Sequence, residues 1–505
     1  MSDFVDARTL SAGTLLTPDI AIVGGGPAGI SLAMALAKDS KLDILLLESG
    51  SANFDPAVQE MYSGSQSGDA YAPLDAGRLR TLGGGTNHWG GWSRPLDALD
   101  FEKRDWVPHS GWPFPKSALD AYYPLAQKLI EAGPWIYDKG DTVASAKAPM
   151  MPLGEGGVYT SWFQFSKMAG DVVPTRFGAR YEADLKAAAN IKPLLNANVT
   201  AIRLTPNAQQ VDRLDAATLN AEGGIGKRFT IKPRHVVMAA GGMENARLLL
   251  ASNDVMKMGV GNQNDLVGRF FGDNPIPRNV ATLAVFGGRL AAYYGSTQDL
   301  GGARMRAVFA PTAAFARRKK IMGSLTTLEY PVELDETGKA AVITAANALG
   351  VDASSARAYS VGCGMELLPD PDRRLTLTSE TDALGLPRLK LHNIVRDADF
   401  ALYRQTLAEL GRQVLASGAG LLRINCSARE DWLKNMDWGH HHLGTVRMHT
   451  DPRQGVVDGD GKVHGIANLF VAGSAVFPTY GASNPTLNLI ALTLRLADHL
   501  KKVAT

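Results

Sequence analysis

Asp19 to Gly50 reads DIAIVGGGPAGISLAMALAKDSKLDILLLESG, and the order of features within it decides the fold. Asp19 to Val23 is a mostly apolar run that enters Gly24-Gly25-Gly26-Pro27-Ala28-Gly29. A helical pattern follows, and a second apolar run ends at Glu48. Strand, glycine turn, helix and strand in that order form a nucleotide-binding unit in which each glycine has a mechanical reason. Gly24 makes the tight turn, Gly26 lets the backbone approach a pyrophosphate, and Gly29 lets the helix pack closely on the sheet. The helix N-terminus then offers free N–H groups and a partial positive charge to the phosphates. Glu48, 24 residues after Gly24, is placed to accept hydrogen bonds from an adenosine ribose. The ligand therefore contains ADP, which leaves FAD or NAD.

A chain of 505 residues exceeds one ordinary core, so two or more domains are expected. Hydrophobic residues at 45% and charged residues at 20% are near average, which points to neither disorder nor a membrane class. A net charge of +2 makes no electrostatic case for nucleic acid, and RRKK at Arg317 to Lys320 reads as a solvated turn. Cys363 and Cys426 are too far apart for a metal-ligand spacing, a haem motif or a disulfide framework, which favours a reducing compartment. The N-terminal residues lack a basic region followed by an apolar core, and no apolar run reaches membrane-spanning length. A cytoplasmic location is expected, with export on a signal-bearing partner subunit as the alternative.

Beyond Glu48, Arg78 to Arg94 reads RLRTLGGGTNHWGGWSR. Its glycines offer consecutive N–H groups, a nest suited to phosphate or to a flavin edge, and Trp89 and Trp92 imply burial against the cofactor. Six of the eight tryptophans precede residue 170, which suggests an aromatic wall able to pack on sugar rings. Residues 140–180, with Trp162-Phe163-Gln164-Phe165, read as a long loop or lid. Short strands from 191 to 232 include Val199, and His235 to Asn253 repeats the strand, glycine turn and helix order through Ala240. Residues 276–430 alternate apolar runs and then carry one long helical pattern from Asp397 to Ala416. This predicts an antiparallel sheet with covering helices, inserted into the first domain.

The final part holds GHHHLGTVRM at Gly439 to Met448 and NLFVAGSAVFPTYGASNPTLN at Asn468 to Asn488. Adjacent side chains on a strand alternate faces, so at most two of the three histidines converge, and no carboxylate or cysteine cluster nearby completes a metal shell. The better reading is a single base, because imidazole alone has an unperturbed pKa near neutrality.

The first fingerprint, LGGGTNHWGG, HHLGTVRM and FVAGSAVFPTYGASNPTLN together resemble the glucose-methanol-choline (GMC) oxidoreductases, FAD enzymes that oxidise alcohols. The resemblance runs from about residue 19 to the C-terminus and is weakest in the inserted sheet. It implies an α/β plus α+β fold: a Rossmann-like FAD-binding domain of discontinuous segments, with an inserted antiparallel-sheet substrate domain. The expected bounds are 1–275 for the FAD domain, 276–430 for the substrate domain and 431–505 for the return carrying the catalytic pair.

By the same resemblance, His441 is the catalytic histidine and Asn484 the second active-site residue. Candidate cofactor contacts are Gly24, Gly26, Gly29, Glu48, Arg80, Gly83, Gly84, Thr86, Asn87, His88, Val199, Ala240, Gly473, Ser474, Pro485 and Thr486. The segment TNHW at Thr86 to Trp89 resembles the T-H-W element through which pyranose oxidase bonds FAD to histidine, with Asn87 where that enzyme has threonine. His88 is the corresponding attachment position. Together these features resemble the pyranose oxidase and bacterial sugar or glycoside dehydrogenase branch, which implies oxidation of a secondary ring hydroxyl to a ketone. Oxygen, a quinone or a redox partner protein would reoxidise the flavin, and a small partner subunit or a homo-oligomer is compatible with the sequence. The alternatives are an aryl or aliphatic alcohol oxidase or dehydrogenase, a flavin-containing lyase of the same fold, and an NAD-linked reductase.

Overall fold

The computed structural model describes residues 4–137, 149–167, 173–288 and 290–504. In chain order, the elements that build the site are β1 (Ile20–Val23), α1 (Pro27–Ala37), β2 (Ile44–Leu47), β3 (Val158–Phe165), β4 (His235–Met238), α2 (Gly241–Ala251), α3 (Asp397–Ala416), β5 (Leu469–Val471) and α4 (Pro485–Val503).

A six-stranded parallel sheet runs in the order Val5–Asp6, Ile191–Leu195, β2, β1, β4, β5. β1 (IAIV) and β2 (ILLL) are buried at every position, as strands covered on both faces must be, which is why they read as unbroken apolar runs. Val23 aligns with Leu47 and with Met238, and Met238 aligns with Val471. The carboxyl ends of β1, β4 and β5 therefore lie side by side, where open α/β sheets bind their ligands. The sheet draws on residues 5 to 471, so its cofactor half is assembled from discontinuous segments. α4 packs on α1 and returns the C-terminus to this sheet.

The larger antiparallel sheet runs Gly420–Ile424, Ala281–Val285, Arg357–Met365, Ser324–Val332, Ala303–Pro311, β3, Trp92–Ser93, with Gln298–Leu300 on a side branch. α3 spans the helical pattern read from the sequence. The sheet departs from the sequence reading at β3, which is not a lid. Its residues Val158 to Gln164 pair antiparallel with Pro311 to Met305 of the neighbouring strand. Trp162 packs on Tyr293 at 5.1 Å between ring centroids, whereas Phe163 and Phe165 pack on Trp92 at 5.1 and 4.6 Å. With both faces buried, the strand shows no alternation of apolar and polar residues, and its Gly- and Pro-rich flanks dominate the sequence pattern. Of the rest of the expected lid, residues 140–148 and 168–172 lie outside the described residues.

One apolar core runs without a break from the parallel sheet into the antiparallel one. Arg317 to Lys319 form the last turn of the helix Ala313–Lys319, where cations complement the negative end of the helix. No helix among the described residues is long and apolar enough to cross a membrane.

Candidate active site

A cavity of about 590 Å³ opens where the carboxyl ends of β1, β4 and β5 meet the N-termini of α1, α2 and α4. None of the three helices is capped by its N-cap side chain (Gly26, Ala240 and Asn484). Their unpaired N–H groups and positive ends thus converge on one space, an arrangement suited to an anionic ligand. The glycines divide the work. A Cβ on Gly24 (φ +117°) would lie 2.5 Å from the Ala239 carbonyl oxygen, and one on Gly29 only 1.9 Å from the Gly24 carbonyl oxygen. A Cβ on Gly26 would meet no protein atom within 4 Å, so its missing side chain leaves room in the cavity itself.

At the end of β2, the Glu48 carboxylate accepts hydrogen bonds from the Gly25 and Gly50 N–H groups, both at 2.8 Å, and is fixed at the cavity edge. Arg80 donates from Nε to Ser49 Oγ (3.2 Å) and pairs through Nη2 with Glu244 (3.5 Å), while its Nη1 is buried without a protein acceptor. Arg80 also lines the cavity and sets a positive charge on this wall. Four residues beyond the expected set support it. Glu244 lies between Arg78 (3.0 Å), Arg80 and Arg247 (3.5 Å), and although burial opposes ionisation, Arg247, Arg80 and Arg78 together hold its pKa below the usual value. Arg78 and Arg80 stack on Tyr62 at 3.9 and 4.6 Å. Arg78 and Glu244 each stand beside a glycine turn, a signal the sequence carried without saying that they pair. Helix ends, open glycine, fixed carboxylate and a cation on the wall suit the pyrophosphate and ribose of FAD.

The loop after Arg80 follows a different logic from the one expected. Gly84, Thr86 and His88 border the cavity, whereas Gly29, Gly83 and Asn87 do not. Gly83 (φ +97°) makes the turn and donates to the Gly25 carbonyl at 2.8 Å. Asn87 is spent inside the loop, donating from Nδ2 to Thr81 Oγ1 (2.7 Å) and to the Leu82 carbonyl (2.9 Å), and Thr86 Oγ1 donates to the Gly83 carbonyl (2.6 Å). The Asn87 side chain thus shapes the nest without bordering it, and Thr86 is held at its edge. Val199, Ala240, Gly473, Ser474, Pro485 and Thr486 all border the cavity. Burial, aided by the charges of His440 and Arg176, lowers the His88 pKa.

Of the expected aromatic wall, only Trp89 and Trp92 reach the cavity. Trp106 donates to the Ile321 carbonyl (3.1 Å), Trp112 donates to the Thr479 carbonyl (3.1 Å), Trp135 packs on Tyr123 and Tyr137, and Trp162 lies in β3.

His441 and Asn484 share one end of the cavity, with Asn484 Nδ2 3.2 Å from His441 Nε2. His441 Nδ1 faces Asn274 Oδ1 at 2.9 Å, and the His441 N–H donates to Asp273 at 2.8 Å. Burial, with a smaller push from His440, lowers the His441 pKa to about 3, so the imidazole is neutral. Its neighbours also line the cavity but have other contacts: His440 (φ +55°) lies against Gly77, and His442 packs near Phe271 and Tyr71. Among the described residues, no group of three or more His, Cys, Asp or Glu is placed to hold a metal ion. Asp273, Asn274 and Tyr71, whose hydroxyl donates to Asp273 at 2.5 Å, complete the setting.

Residues 369–493, which contain His441 and Asn484, match the model of the GMC oxidoreductase family. This stretch carries the C-terminal domain of the GMC oxidoreductases. Members of the family are FAD-dependent oxidoreductases, and FAD is the cofactor that this cavity fits. The fructose dehydrogenase large subunit of Gluconobacter japonicus is 27% identical over 361 residues, covering 69% of this chain and 57% of that one. A C-glycoside 3-oxidase of Microbacterium trichothecenolyticum is 28% identical over 280 residues, covering 54% and 48%. The chain thus matches about half the length of these two relatives. The crystal structure of pyridoxine 4-oxidase from Mesorbium loti superposes with a TM-score of 0.59 at 19% identity, covering 95% of this chain and 99% of that one, which shows the fold.

Proposed function

We propose that the whole chain is a GMC oxidoreductase that oxidises a secondary ring hydroxyl of a sugar or glycoside to the ketone, with His441 as base and Asn484 as its orienting partner. The observation that carries this reading is the contact of a neutral, half-buried imidazole with an amide at 3.2 Å on the cavity wall. When bound, FAD supplies the acceptor for the carbon-bound hydride. His441 Nε2 takes the hydroxyl proton, and a base so placed contributes about 10² to 10⁴-fold in rate. Asn484 cannot act as a base. Its amide donates to the hydroxyl oxygen, fixes its angle and stabilises the negative charge that grows there. Burial keeps His441 unprotonated, so no acid form has to be emptied before reaction.

The sugar assignment is supported by relatives whose names specify fructose and C-glycoside oxidation, and by the indole faces of Trp89 and Trp92 on the cavity wall. The large-subunit name of one relative supports a partner subunit here as the route for electrons out of the flavin. His88 borders the cavity and is the proposed attachment point for FAD, in which case precipitation with acid leaves the yellow colour with the protein.

The test is anaerobic. Mixed with free sugars, glycosides, and aryl or aliphatic alcohols, the yellow protein is expected to bleach fastest with one sugar class and to yield a keto-sugar. Faster bleaching by benzyl or aliphatic alcohols would move the assignment to a simple alcohol. Turnover of a substrate without any bleaching would replace oxidation by lyase chemistry.

A further inference from the structure

We propose that Asn274 is a positioning residue that fixes the tautomer of His441, placing the ring proton on Nδ1 and leaving the Nε2 lone pair for the substrate. The inference rests on the reading of His441 as the base and adds what makes one of its two nitrogens basic in the right place.

The argument starts from an amide whose orientation is forced. Asn274 is 2% exposed, and its Nδ2 lies 2.9 Å from the Met365 carbonyl oxygen and 3.0 Å from the Gly481 carbonyl oxygen. Carbonyl oxygens only accept, so the NH₂ must face them; the flipped amide would set oxygen against two oxygens. Asn274 Oδ1 is thereby aimed at His441 Nδ1, 2.9 Å away. An amide oxygen also only accepts, so Nδ1 carries the hydrogen. A neutral imidazole has one ring hydrogen, which leaves Nε2 with its lone pair. The other side of the ring agrees: the group of Asn484 that meets Nε2 is its donor, Nδ2, at 3.2 Å.

The surroundings hold this assignment in place. Asp273 accepts from the main-chain N–H groups of both Asn274 (2.6 Å) and His441 (2.8 Å), so one two-residue segment grips the backbone and the ring together. Gly481, to which Asn274 is tied, lies three residues before Asn484. A single buried amide thus links the histidine to the loop that delivers its partner. Reversal of the tautomer would present an N–H to the substrate hydroxyl and remove the base, although every heavy atom kept its place. In a serine protease, the equivalent tautomer error costs about 10⁴-fold.

Histidine-selective ¹⁵N labelling of the FAD-loaded enzyme tests this directly, because a protonated and an unprotonated ring nitrogen have well-separated shifts. His441 is assigned by the signals lost in His441→Ala. The expected spectrum has Nδ1 protonated and Nε2 bare; the opposite pattern in the wild-type enzyme overturns the proposal without any variant of Asn274. In Asn274→Leu, which removes the acceptor, the Nδ1–H signature is expected to be lost. Single-turnover flavin reduction should fall at least about tenfold, with FAD content and apparent substrate affinity retained. Asn274→Asp keeps an acceptor oxygen and is expected to recover the signature and a rate above that of the leucine variant. An unchanged signature and rate in Asn274→Leu, or equal losses in both variants with the tautomer intact, would reduce Asn274 to a structural role. If His441→Ala reduces flavin at the wild-type rate, the base assignment fails, while the spectrum still decides the tautomer.

Discussion

In the proposed role of base, His441 is kept neutral. Burial, with the nearby His440, pulls its pKa from the ordinary 6.5 to about 3. As far as this group is concerned, flavin reduction is expected to stay flat from pH 8 down to pH 5, and stopped-flow rates across that range check it. A limb centred near 6.5 would mean that the base titrates as an exposed histidine. Asn484→Asp is expected to slow reduction at least about tenfold at neutral pH, because a carboxylate repels the charge that grows on the substrate oxygen. An equal rate would place Asn484 away from substrate. The strings that hold these two residues were legible in the sequence because they are local, and the fold brings the two side chains within 3.2 Å. Asn274 and Asp273 were not, since they reach His441 from 167 and 168 residues away through contacts that only folding creates.

At the level of elements, the β1–α1–β2 unit was legible because each constraint on it falls within a single turn. Two glycines of that turn make opposite predictions. A Cβ on Gly29 would sit 1.9 Å from a main-chain oxygen that no side-chain rotation can move, so Gly29→Ala is expected to lower the melting temperature sharply and to cost FAD as a consequence. A Cβ on Gly26, at φ −79° and with no protein atom within 4 Å, is tolerated by the fold and intrudes only on the cavity. Gly26→Ala is therefore expected to leave the apoprotein melting within a few degrees of wild type and to weaken FAD binding at least about tenfold; thermal melts and FAD titration separate the two effects. If Gly26→Ala binds FAD normally, the phosphates do not lie over this helix end. β3 was illegible for the converse reason. Buried on both faces between Tyr293 and Trp92, it shows no period of two, and its role in the sheet is set by a partner strand some 140 residues later.

For the molecule as a whole, one core joins the two sheets, so buried ionisable groups anywhere in it bear on global stability. Seven histidines (88, 109, 235, 440, 441, 442 and 449) have pKa values lowered chiefly by burial. The unfolded chain binds protons at these positions as pH falls through 6.5 and the folded chain does not, so their stabilisation is lost towards acid. Burial works the other way on Asp273, pushed up to about 7 against hydrogen bonds from Tyr71, His441, Asn274 and His440, and on Asp100, pushed up to about 8 with help from Glu366. The folded chain keeps those protons after the unfolded chain has released them, so stability falls as pH rises towards 7 and 8. The melting temperature is expected to peak between pH 6 and 7; a steady rise through pH 8 would mean that the two carboxyls are ionised in the folded protein. FAD binds only the folded form, and at a free concentration 100 times its Kd it adds about 2.7 kcal/mol to stability.

The most direct test of the account is single-turnover flavin reduction by His441→Ala under anaerobic conditions, with the sugar that bleaches the wild-type enzyme fastest. The account predicts a protein that is still yellow, with a full complement of FAD, and a reduction rate at least about 10²-fold lower. Reduction at the wild-type rate would contradict it, because the proton of the substrate would then leave by another group and the contact between His441 and Asn484 would not be the centre of the chemistry.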